Sequence, residues 1–66
     1  MTQIILNGES KTVDAKNIVE LLNTFDYQSD KVAVAINGEF VPRSNYESQN
    51  LNENDSIEVL SAVQGG

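Results

Sequence analysis

The chain has 66 residues, enough for one domain close to the size below which a hydrophobic core needs disulfides or a metal to hold it. It contains no cysteine and no histidine, which excludes disulfides, a thiolate nucleophile and imidazole chemistry. Ten acidic residues against four basic ones give a net charge of −6, which argues against nucleic acid or anionic membrane as a partner. The acidic excess either attracts a partner with a basic face or serves only solubility.

The first predicted element is a β-hairpin over residues 2–14. Residues 3–7 form a short aliphatic run that ends in Asn7-Gly8, a pair that readily adopts the positive φ angles of a two-residue hairpin turn. The return strand is expected to run through residues 10–13, with Val13 as its apolar residue.

A helix is predicted next, because the spacing of apolar residues changes. They recur at positions i, i+3, i+4 and i+7 as Ile18, Leu21, Leu22 and Phe25. Asn17 can cap the first turn, with Glu20 three residues later in a capping-box arrangement. We expect the helix to run from Ile18 to about Asp26 and to bury its apolar stripe.

A second hairpin is predicted from residue 32 onward. Side chains alternate between two faces along this segment, with Val32, Val34 and Ile36 on one face and Ala33 and Ala35 on the other. Asn37-Gly38 repeats the turn signal, and the return strand over residues 39–41 ends before Pro42. The irregular segment that follows is expected to contact the core through Tyr46 and Leu51.

The last strand is predicted over residues 57–63, after a turn at residues 52–56. Its side chains alternate, with Ile57, Val59 and Val63 on one face and Glu58, Leu60 and Ala62 on the other. This strand leaves only Gln64, Gly65 and Gly66 beyond its end.

One helix can cover only one face of a sheet built from these strands. Beneath the helix we expect Ile4 or Ile5, Val13, Val34, Ile36 and Val59. The uncovered face is left with small or apolar side chains, namely Ala33, Ala35, Leu60 and Ala62. Apolar groups without a cover are typical of an interaction surface, so we predict that these four residues bind a partner protein.

The chain shows no residue pattern typical of an enzyme or a metal site. Its internal glycines stand singly in hairpin turns rather than in a phosphate-binding loop, and its acidic residues follow no calcium-loop spacing. Ser56 and Ser61 have no histidine to activate them. We therefore predict no catalytic residue, no metal ligand and no bound cofactor. The longest apolar run is far shorter than a membrane span and no signal-peptide pattern precedes it, so we expect a cytoplasmic protein.

The C-terminal carboxylate of Gly66 is the one unusual reactive group. It is ionised and inert at neutral pH, but a partner holding ATP and magnesium could convert it to an acyl-adenylate. Gly65 and Gly66 have no Cβ and would fit a narrow channel, and the three residues beyond Val63 reach about 10 Å when extended. The alternative is a frayed terminus without a function.

The combination of "AINGEFVPRSNY", "NENDSIEVLSAV" and the final "QGG" resembles the ThiS family, the sulfur carrier proteins of thiamine biosynthesis. The resemblance covers the whole chain in length and element order. It implies an α+β fold of the ubiquitin-like β-grasp type, in which one helix covers one face of a mixed sheet of about five strands. It also implies a single domain over residues 1–66, with residues 64–66 as a flexible reactive tail.

The resemblance further implies a chemistry carried out by partners. A ThiF-like adenylyltransferase would use ATP and magnesium to activate Gly66, with Gln64 and Gly65 completing the segment that enters its channel. Sulfur drawn from cysteine by a desulfurase would displace AMP and leave a thiocarboxylate. Thiazole synthase would then take the sulfur into the thiazole ring. The chain itself would be a protein cosubstrate rather than an enzyme, and a monomer on its own.

Three alternatives remain open from the sequence. A MoaD-like small subunit of molybdopterin synthase would carry sulfur to a different acceptor, and a ubiquitin-like modifier would be joined to lysines. The third alternative is an interaction module with the same fold and an incidental tail.

Overall fold

A computed structural model of the protein describes residues 1–61. The strands are β1 (Thr2–Leu6), β2 (Glu9–Val13), β3 (Val32–Ile36), β4 (Glu39–Val41) and β5 (Ser56–Ser61), and the helix is α1 (Ile18–Thr24). Two short 3₁₀ helices span Ser29–Lys31 and Arg43–Asn45. The strands lie in the order β2-β1-β5-β3-β4, and β1 pairs with β5 in parallel while the other three pairs are antiparallel. Within these residues, the predicted mixed five-stranded sheet with one helix is confirmed.

Both predicted hairpin turns are confirmed. Asn7 and Gly8 have φ angles of 51° and 85°, and Asn37 and Gly38 have φ angles of 52° and 87°. Positive φ at both central residues is the requirement of the tight turn that matches the twist of the flanking strands. Because each loop has two residues, the turns also determine the register of the strands that they join.

Helix α1 begins where the sequence predicts and ends earlier than predicted. The side-chain oxygen of Asn17 accepts a hydrogen bond from the Glu20 N–H at 2.9 Å, which confirms the cap. The helix ends at Thr24 rather than near Asp26, because Asp26 adopts a left-handed φ of 62°. The Tyr27 N–H then bonds back to the Leu22 carbonyl at 2.9 Å, as in a Schellman motif.

The hydrophobic core lies between α1 and one face of the sheet. Its buried residues are Ile4, Leu6, Val13, Ala15, Ile18, Leu21, Leu22, Val34, Ile36, Val41, Tyr46, Leu51, Ile57 and Val59. Between the two candidates on β1, Ile4 is fully buried and Ile5 faces outward. Tyr46 and Leu51 are buried as predicted, whereas Phe25 is only partly buried and packs against the edge of the core.

Candidate functional site

Three of the four predicted partner-binding residues lie together on the uncovered side of the sheet. Ala33 of β3 lies opposite Leu60 of β5, and Ala35 lies opposite Glu58 one step along the same pair of strands. Leu60 is 67% exposed, Ala33 is exposed and Ala35 is half-buried. The fourth predicted residue, Ala62, lies outside the described residues. The same holds for Val63 and for the predicted tail formed by Gln64, Gly65 and Gly66.

The structure adds two apolar residues to this surface that were not predicted to lie on it. Phe40 of β4 is 69% exposed and lies opposite Ala35, on the same side of the sheet. Ile5 of β1 lies opposite Ser56 in the parallel pair with β5. The signal for Phe40 was present, because a two-residue turn at positions 37–38 places residue 40 opposite residue 35. We call this surface the open face and define it by Ile5, Ala33, Ala35, Phe40, Glu58 and Leu60.

The open face combines apolar groups with one carboxylate. Glu58 lies on β5, two residues before Leu60, and shares a cross-strand row with Ala35 and Phe40. No lysine or arginine is among the residues that define this face. A partner that presents an apolar patch beside a lysine or arginine would therefore complement it.

Strand β5, which leads toward Gly66, is held by the side chains of both turn asparagines. The Asn37 side-chain oxygen accepts from the Ser56 N–H at 3.0 Å, and its side-chain nitrogen donates to Asp55 Oδ1 at 3.0 Å. The Asn7 side-chain oxygen accepts from the Val59 N–H at 2.9 Å, and its side-chain nitrogen donates to the Val59 carbonyl at 3.3 Å. The sequence could not reveal these contacts, since the turn geometry already accounts for asparagine at both positions.

In residues 1–61, no three side chains of histidine, cysteine, aspartate or glutamate come together in a group that could hold a metal ion. Over the same residues, no helix has the length and apolar character needed to cross a membrane. The candidate functional features of the described residues are the open face and strand β5, which leads toward the C-terminal residues.

Two solved structures resemble this one closely. The crystal structure of the thiamine biosynthesis protein ThiS from Geobacter metallireducens superposes with a TM-score of 0.83 at 30% sequence identity. That match covers 98% of this chain and 100% of the other. An NMR solution structure of a thiamine biosynthesis protein from the same organism gives a TM-score of 0.79 at 30% identity, covering 98% of this chain and 88% of the other.

Sequence relatives and a family model agree with the structural comparison. A thiazole synthase from Paramagnetospirillum magneticum is 37% identical over 65 residues, a region that covers 97% of this chain and 20% of that protein. The chain thus spans about a fifth of that relative's length. A protein named uncharacterized protein ycf40 from Pyropia yezoensis is 41% identical over 67 residues, covering 96% of this chain and 90% of that protein. The model of the ThiS family matches residues 4–66, nearly the whole chain, so the protein belongs to the ThiS family and has its ubiquitin-like β-grasp fold.

Proposed function

We propose that this protein is a sulfur carrier of thiamine biosynthesis and that Gly66 carries the sulfur. Membership of the ThiS family supports the carrier role, and the close structural relatives are named for thiamine biosynthesis. The observation that carries the proposal is the extent of the family match. It runs to residue 66 and therefore includes the segment from Gln64 to Gly66.

The proposed chemistry takes place on the Gly66 carboxylate. An oxygen of the carboxylate attacks the α-phosphorus of ATP in a ThiF-like adenylyltransferase, and pyrophosphate leaves. The resulting acyl-adenylate is a strong electrophile. The terminal sulfur of a persulfide, formed from cysteine by a desulfurase, attacks the acyl carbon and AMP leaves. A thiol reductant then cleaves the sulfur–sulfur bond and frees the thiocarboxylate.

Thiazole synthase is the proposed acceptor of this sulfur. The Paramagnetospirillum magneticum relative is named thiazole synthase, and about a fifth of its length is similar to this chain. In that protein, a region like this one is covalently joined to the rest of a thiazole synthase. The joined arrangement supports a direct encounter between this chain and a separate thiazole synthase.

The open face is the proposed docking surface for the adenylyltransferase. Leu60 and Phe40 are the most exposed of its large apolar side chains, at 67% and 69% of their surface. Leu60 lies on the strand whose continuation leads to Gly66, so docking at this face would place the C-terminal segment near the enzyme. The net charge of −6 would speed the approach of a partner with a basic face.

Mass spectrometry of the intact chain tests the proposed chemistry. Incubation with the adenylyltransferase, ATP and magnesium is expected to yield an AMP adduct. Adding cysteine, a desulfurase and a thiol reductant is expected to replace the adduct with a gain equal to sulfur minus oxygen. Neither change should occur without ATP, because the carboxylate is inert until it is adenylated.

Fragmentation of the modified chain must place the new mass on Gly66. Sulfur on an internal residue would contradict the proposal. Conjugation to lysines of other proteins as the main product would instead favour the ubiquitin-like modifier.

A further inference from the structure

The side chain of Asn7 continues the sheet beyond the end of β1. Along the parallel pair, the Ile5 N–H donates to the Asp55 carbonyl and the Asn7 N–H donates to the Ile57 carbonyl, both at 2.8 Å. The next bonds would involve Val59, but the main chain leaves the ladder at Asn7 and enters the hairpin turn. At this point the Asn7 carboxamide replaces the backbone groups of β1 as the hydrogen-bond partner of β5. Its oxygen accepts from the Val59 N–H and its nitrogen donates to the Val59 carbonyl.

This contact supports β5 where the neighbouring strand no longer does. The β1 register ends with Leu6 opposite Ile57, whereas β5 runs on to Ser61. On its other side, β5 pairs with β3 as far as Ser61. The Asn7 carboxamide therefore extends two-sided support of the β5 backbone to Val59, next to Leu60 of the open face.

We propose that Asn7 is a positioning residue, whose carboxamide fixes the β5 backbone at Val59 and so holds Leu60 of the open face in place for the adenylating partner. This inference rests on the proposed function, because it assumes that the adenylating partner docks on the open face. Aligned reactions are sensitive to small displacements of the reacting group, and a shift of about 1 Å can slow one by about 100-fold.

Turn geometry alone does not explain the contact with Val59. Glycine meets the positive φ requirement at position 7 as well as asparagine does, but it has no side chain to bond to Val59. Asn7→Gly therefore preserves the turn and removes the carboxamide. Asn37→Gly is the matched control, because it makes the same change in the same kind of turn and affects the beginning of β5 instead.

Amide hydrogen exchange and steady-state adenylation kinetics on the full chain test the proposal. In Asn7→Gly we expect exchange at the Val59 N–H to rise by at least about tenfold, since its hydrogen-bond acceptor is lost. We expect kcat for adenylation to fall by about tenfold, with a smaller change in KM, because alignment rather than contact area is lost. Asn37→Gly should speed exchange at Ser56 and leave kcat within about twofold of the wild type.

Three results would overturn the proposal. The first is unchanged exchange at Val59 in Asn7→Gly, and the second is faster exchange with a normal kcat. The third is an equal loss of kcat in both variants at equal loss of stability, which would indicate a purely structural role. If Asn7→Gly does not fold, Asn7→Asp serves instead. It keeps the oxygen that accepts from the Val59 N–H and loses the group that donates to the Val59 carbonyl, so its readout is kcat alone, and a kcat equal to that of the wild type would overturn the proposal. A wild-type chain that forms no adenylate would refute the proposed function, while the exchange data would still test the contact itself.

Discussion

The substitution Leu60→Asp tests whether Leu60 contributes to partner binding rather than to the stability of the fold. The Leu60 side chain points away from the core and is 67% exposed, whereas its neighbour Val59 is 4% exposed and faces the helix. An exposed substitution of this kind changes the free energy of unfolding by about 0.5 kcal/mol or less. We therefore expect Leu60→Asp to fold and to melt close to the wild type.

The same substitution should weaken binding to the adenylyltransferase strongly. Full burial of a leucine side chain contributes about 1.5–3 kcal/mol, so burying the two-thirds that is still exposed contributes about 1–2 kcal/mol. Aspartate loses this gain and also places a second carboxylate beside Glu58 in a surface that the partner must desolvate. We expect a total loss above about 2 kcal/mol, which corresponds to a rise of roughly 30-fold in Kd.

Calorimetric titration of the adenylyltransferase with each variant measures this loss, alongside a thermal melt. Asn23→Asp, an exposed position on α1, is the control for the added charge and should bind within about twofold of the wild type. Unchanged affinity in Leu60→Asp would refute the assignment of the open face as the docking surface. An unfolded Leu60→Asp chain would show that the facing of β5 is wrong by one residue.

Three further predictions concern the C-terminal residue and the ends of α1. Deleting Gly66 should abolish sulfur transfer in a thiazole-formation assay. It should change the free energy of unfolding by about 0.5 kcal/mol or less, because the buried residues of the described structure all precede residue 60. Normal activity of the truncated chain would contradict the carrier proposal. Asn17→Ala should lower the free energy of unfolding in urea by about 1 kcal/mol, because it removes the bond from the Glu20 N–H and the bond to the Glu47 carbonyl. Asn23→Ala, which removes an exposed asparagine from α1, is the control, and equal effects of the two substitutions would argue against the cap. Asp26→Gly should raise the free energy of unfolding in urea by about 0.5–1 kcal/mol, because glycine adopts the φ of 62° without steric cost. A destabilised variant would show that the Asp26 side chain stabilises the helix end.

Local features of this protein were predictable because their causes lie within a few residues. Asn-Gly pairs meet the φ requirement of their turns without help from the rest of the chain. The start of α1 follows from Asn17, whose side-chain oxygen accepts from the Glu20 N–H three residues later, although its side-chain nitrogen also donates to the distant Glu47 carbonyl. The end of α1 was less predictable, since Asp26 rather than the usual glycine takes the left-handed position.

Contacts between distant segments were decided only by the tertiary structure. The alternation of side-chain direction along β1 allowed either Ile4 or Ile5 to face the core. The placement of β1 beside β5 and beneath the helix buries Ile4 and turns Ile5 outward. The bonds from Asn7 to Val59 join residues 52 positions apart, and no local pattern encodes them. The amino-acid sequence by itself determined the turns, the start of the helix and the alternation of each strand, because these depend on local backbone geometry. The strand order, the facing of β1 and the support of β5 arise when the segments pack together, because they depend on which backbone and apolar groups then become neighbours.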